Sequence, residues 1–164
     1  MGMPSVEEMQ AIVLDFCKPP RASQMITIDK NGLPTGRSLG ATLNPDLTID
    51  IVTITNLGFK RADQVRRHPG VLFVWSEPAG DQGRVPRVIF AKCTAEVLSG
   101  DPVAEWYDQS VAAGRNFEGT TREQVVATRV IIRATVKQFR AEGFAKEGET
   151  LDRTEVRYGM TWKP

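Results

Sequence analysis

At 164 residues and a formal net charge of +1, the chain is long enough for one hydrophobic core, and it lacks the positive field that recruits nucleic acid or an anionic membrane. No apolar run approaches the roughly 20 residues of a membrane span, and the polar, acidic start MGMPSVEEMQ is unlike a secretory signal. One histidine and two cysteines without metal or redox spacing argue against a metal site; Cys17 and Cys93 read as buried thiols in a reduced, cytoplasmic protein with one domain over 1–164.

Ser5 with Glu8 reads as a capping box, and Val6, Met9, Val13, Phe16 and Cys17 recur at helical spacing, which predicts a helix ending before Pro19-Pro20. MITID (Met25 to Asp29), the turn Lys30-Asn31-Gly32 and an extended run from about Thr35 to Leu43 predict two strands. The turn Asn44-Pro45-Asp46 leads into LTIDIVTIT, a third strand. A short helix near 59–67 and the buried-strand pattern VLFVW (Val71 to Trp75) follow. A loop rich in Pro, Gly and charge, Glu77 to Pro86, precedes the strand VIFAKCTAEV, residues 88–97. Asp101 as N-cap with Pro102 behind it predicts a helix stopped by Gly114, and Thr120 with Glu123 predicts a shorter one. RVIIRATVKQF alternates as a strand, and TEVRYGMTW reads as a last one, with Trp162 in the core. Consecutive hairpins with inserted helices predict an antiparallel barrel, α+β but mainly β.

Chemistry concentrates in TITNLGFKRADQVRRHP, residues 53–69. A β-branched run stops at Thr55-Asn56, Gly58 turns the chain, and Lys60-Arg61 open the short helix. A hydroxyl, a flexible turn and two cations at a helix start suit a phosphate. If the Asn44-Pro45-Asp46 turn closes a hairpin, Leu43 opposes Leu47, Ala41 opposes Ile49, Leu39 opposes Ile51 and Arg37 opposes Thr53. That register puts Arg37, Thr53 and Thr55 on one face, at the rim of an apolar surface, and makes Arg37 a second contributor to the anion site.

Other constellations are weaker. Gly36-Arg37-Ser38-Leu39-Gly40 fits G-x-S-x-G, but its flanks alternate as strand on both sides and do not form the strand-to-helix elbow that a nucleophilic serine needs. Lys60, Arg61, Arg66 and Arg67 lack the aromatic interleaving of a base-stacking surface. Trp106-Tyr107 reads as a helix packing face.

Taken together, ITIDKNGLPTGR, TNLGFKRADQVRRHPGVLFVW and CTAEVLSGDP, in that order, resemble the pyridoxamine 5′-phosphate oxidase-like family of FMN-binding split β-barrels, from about Ala22 to Val97. The resemblance implies an antiparallel split barrel with peripheral helices. It also implies a homodimer with FMN in clefts between the subunits, and an oxidoreductase acting on a small-molecule substrate. Carried over, it assigns Arg37, Ser38 and Leu39 to the ribityl phosphate and flavin edge, Thr55 to the phosphate region, and Lys60 with Arg61 to the phosphate itself. Thr42 stands where the family places a flavin-edge lysine. The family's late Arg-x-His pair has no counterpart, since no histidine follows His68. The substrate machinery of pyridoxamine 5′-phosphate oxidase itself is therefore expected to be absent. A deazaflavin-dependent reductase and a non-catalytic flavin binder are the alternatives; no catalytic residue and no metal are expected.

Overall fold

The computed structural model describes residues 5–78, 86–144 and 160–162. Within them, one antiparallel sheet is built from β1 (Ser23–Ile28), β2 (Pro34–Leu39), β3 (Thr48–Ile54), β4 (Gly70–Ser76), β5 (Val88–Leu98), β6 (Arg129–Glu142) and the short β7 (Met160–Trp162). The strands run in the order β2-β1-β4-β5-β6-β3, with β7 beside β6. Four helices decorate the sheet: α1 (Val6–Phe16), α2 (Arg61–Arg67), α3 (Asp101–Ala112) and α4 (Arg122–Thr128). Of the expected tail strand, β7 is the described part; its earlier residues and the side chain of Trp162 lie outside the described residues.

Local chemistry explains most boundaries. The Ser5 hydroxyl accepts from Glu8 N–H at 3.1 Å while the Glu8 carboxylate accepts from Ser5 N–H at 2.7 Å, so the expected capping box opens α1. The β1–β2 turn is held by Asp29, whose carboxylate accepts from Asn31 and Leu33 N–H, and by Gly32 at φ 81°. Two helix starts move by one residue. Gly100, not Asp101, is the N-cap of α3, and Asp101 is already helical. Thr121 with Gln124, not Thr120 with Glu123, makes the capping box of α4.

The hairpin expected around Pro45 does not form a ladder. Among the described residues β2 pairs with β1 alone (Met25 opposite Arg37), and β3 with β6 alone. The chain leaves the sheet after Leu39 because its backbone groups find other partners. Ala41 N–H donates to Ser23 Oγ and Ala41 C=O accepts from the Trp75 indole. Leu43 N–H donates to Cys17 C=O. β2 and β3 thus end the sheet at opposite sides, and the barrel stays split between them.

Inside the curl, Met25, Phe73, Trp75, Ile89, Ile132 and Phe139 form the core, sealed by Met9, Val13 and Phe16 of α1 and Val65 of α2. Cys17 and Cys93 are buried there, and burial pushes the Cys93 thiol up to about 12, as expected for packed, inert thiols. A smaller cluster around Val103, Val125 and Ile131 packs α3 and α4 against the outer side of β3 and β6.

Candidate functional site

Arg37 lies opposite Met25 in the ladder, and Met25 is buried, so strand alternation turns Arg37 toward the inner side of the curl. β3 alternates likewise: Ile49, Ile51 and Thr53 are buried, while Asp50, Val52 and Ile54 are half-buried. The sharing of a face by Ile49, Ile51 and Thr53 is as expected, although the strand opposite them is β6 and not β2. Arg61 is placed by α2, which is anchored from its buried side: Thr27 Oγ1 donates to Gln64 Oε1 at 2.8 Å.

Three buried side-chain atoms have no hydrogen-bond partner among the described residues: Arg37 Nε, Thr53 Oγ1 and Arg61 Nε. All three belong to residues that the sequence singles out for one anion. Leaving a buried polar group unpaired costs about 1–3 kcal/mol, more when charged, so three together are not an expected by-product of folding. Burial holds Arg61 below the ordinary arginine pKa, and the positive charge of Arg37 adds to the effect. Two guanidinium groups therefore sit within electrostatic reach of each other, and neither has a carboxylate among the described residues. An anion accepting their free N–H groups would relieve both the repulsion and the missing bonds.

The opening of the split barrel is a cleft of about 420 Å³. Leu39 and Gly40 line it at the end of β2, and Asp50, Val52 and Ile54 line it from β3. Arg61 enters from α2, Trp106 from α3, Arg115 from the following loop and Arg129 from the start of β6. Asp50, its carboxylate, is already held by Arg133 through two bonds of 2.9 and 2.7 Å. The cleft is therefore a local concentration of positive charge in a nearly neutral chain.

Of the three residues with unpartnered atoms, Arg61 lines this cleft, whereas Arg37 and Thr53 face the inner side of the curl beside it; the remaining sequence candidates are more scattered. Leu39 lines the cleft. Ser38 is exposed on the opposite face of β2, in regular pairing with Gln24, which leaves no nucleophile elbow. Thr42 is exposed between buried Ala41 and Leu43. Thr55 donates from both its hydroxyl and its N–H to Thr128 C=O, at 3.1 and 2.8 Å, tying the end of β3 to α4. Lys60 is the exposed N-cap of α2, with no side-chain capping bond. Arg66 is occupied by Asp63 at 2.9 Å. Arg115 and Arg129 are not among the sequence candidates, and Trp106 stands there as a packing residue alone; no local pattern in the sequence marks them for the cleft. Among the described residues no group of three His, Cys, Asp or Glu side chains could hold a metal, and no helix is long and apolar enough to cross a membrane.

No family model matches the sequence, and no curated protein matches it. Solved structures do match. An F420 reductase is 16% identical with a TM-score of 0.55, over 84% of this chain and 98% of that one. A provisionally named pyridoxamine 5′-phosphate oxidase from Listeria innocua is 14% identical with a TM-score of 0.59, over 81% and 97%. An FAD-binding protein from Mesorhizobium loti is 17% identical with a TM-score of 0.57, over 84% and 94%. At such identities the likeness is one of fold.

Proposed function

The fold is that of the pyridoxamine 5′-phosphate oxidase-like split β-barrels, and on that premise we propose that the chain is an FMN-binding flavoprotein, an oxidoreductase acting on a small substrate. One observation carries the proposal: the buried polar atoms left without partners, on Arg37, Thr53 and Arg61, are those the sequence assigns to a phosphate. These residues fit the terminal phosphate of FMN, with exposed Lys60 beside Arg61 adding charge at the entrance. Bound flavin would supply hydride transfer, while the chain supplies binding, orientation and exclusion of water. Leu39 and the half-buried Val52 and Ile54 offer the ring an apolar wall on one side. A second copy of the chain would supply the other wall, in a homodimer with the cofactor at the subunit interface.

A titration comparing FMN with riboflavin tests the assignment. FMN should bind at least tenfold more tightly, because only FMN presents the phosphate; equal affinities would refute the phosphate site. The F420 reductase among the structural matches favours one second candidate, a deazaflavin coenzyme, which also carries a phosphate. The absorption spectrum of the cofactor released on denaturation separates the two. Reoxidation of the reduced, loaded protein by candidate acceptors separates an enzyme from a binder without turnover.

A further inference from the structure

Arg61 shares its cleft with two further arginines, Arg115 and Arg129, that the phosphate proposed for Arg37 and Arg61 would leave unused. Arg115 lies with its guanidinium carbon 5.4 Å from the Trp106 ring centre and 5.3 Å from that of Phe117. Arg129 lies 5.9 Å from the Phe117 ring centre. Phe117 is in turn fixed by Trp106 and Tyr107, at centroid distances of 5.6 and 4.7 Å. A guanidinium resting on an aromatic ring keeps its N–H donors free for another partner. Neither side chain has a hydrogen-bond or ion-pair partner among the described residues. Asp50 in the cleft is taken by Arg133, and Asp108 of α3 is taken by Arg122 through two bonds of 2.9 Å. Two like charges beside one ring, with the nearby acids engaged elsewhere, form an arrangement that a second anion would stabilise.

We propose that Arg115 and Arg129, backed by Trp106 and Phe117, form a second anion subsite that takes a phosphate-type group other than the phosphate held by Arg37 and Arg61. The group has two sources of the same chemistry: a second phosphate carried by a dinucleotide form of the flavin, or the anionic group of the molecule that exchanges hydride with it. The proposal rests on assigning the first phosphate to Arg37 and Arg61, and its test keeps the two assignments apart.

The probes are phenyl phosphate, which offers a dianion and a ring, and FAD. By calorimetry, phenyl phosphate should bind the FMN-loaded protein, and R115Q/R129Q should weaken it at least tenfold, as loss of charged hydrogen bonds implies. R115Q alone, at the more exposed position, should move affinity the same way, and K137Q, an exposed change on β6, should leave it unaltered. If the cofactor supplies the group, FAD should instead bind more tightly than FMN, and R115Q/R129Q should abolish that preference. Either result supports the subsite and names its source. Absence of both, or equal binding by R115Q/R129Q, overturns it. Should the protein bind no flavin, the flavin assignment fails by itself; phenyl phosphate titrated into the ligand-free chain still reports the subsite through its dependence on Arg115 and Arg129.

Discussion

A hydroxyl sealed from water without a partner among the described residues, as in Thr53, is a cost of about 1–3 kcal/mol. Thr53→Val should therefore raise the stability of the flavin-free protein by roughly that amount in chemical denaturation, while FMN binding weakens. Unchanged FMN affinity would place the hydroxyl outside the site. The cations make the complementary test. Arg37→Ala, Lys60→Ala and Arg61→Ala should each weaken FMN by roughly ten- to a hundred-fold and hardly alter riboflavin. Arg66→Ala is the control, since its side chain is exposed, engaged by Asp63 and not among the residues lining the cleft. An equal loss in the control would indicate diffuse charge in place of a site. Arg61 was legible in the sequence because it adjoins the Gly58 turn and opens α2, a local pattern; Arg37 was singled out through a hairpin register with Thr53 that the fold does not form, and through the family resemblance. Arg115 and Arg129 were not: they reach the cleft only through the packing of α3 and α4 on β3 and β6, which no spacing in the chain encodes.

Among the described residues, the strands β1 to β6 and the four helices were legible from periodicity and turn residues, with ends shifted by a few positions, because caps, glycine turns and alternation act within a few residues of themselves. Pairing was less legible. The segment after Leu39 alternates as a strand, and nothing local reveals that Ser23, Trp75 and Cys17 will capture its backbone groups and pull it off the sheet. The end of β6 shows a close approach of the same long-range kind. Gly143 has φ 77°, and a Cβ there would stand 2.6 Å from the Pro86 carbonyl oxygen. Gly143→Ala should lower the thermal midpoint more than Gly32→Ala, where φ is 81° but no atom lies within 4 Å. Both changes carry the left-handed penalty of about 1–2 kcal/mol; only the first adds a main-chain clash. Equal losses would mean that the approach of β6 to Pro86 relaxes freely.

As a whole, the molecule presents an outer sheet face on which Ile26, Leu72, Val74 and Phe90 lie in neighbouring strands and remain only partly covered. Leu72 and Phe90 line a shallow depression of about 270 Å³ there. In the proposed homodimer this face is a candidate for burial, so Phe90→Glu should shift the protein to monomer in sedimentation and weaken FMN with it. A wild-type monomer that holds FMN tightly would count against the dimer. The split in the barrel has one more consequence. Among the described residues β2 and β3 each have one edge with no neighbouring strand, and TIDIVTI along β3 is strongly β-forming with a single charge, already neutralised by Arg133. Such an edge is a template for adding strands from other chains. A molecule seated in the gap would act as a guard for that seam, so light scattering on incubation near the thermal midpoint should rise more slowly with FMN present than without it. Occupancy of the gap would then govern how long the protein stays in solution as well as what it can do there.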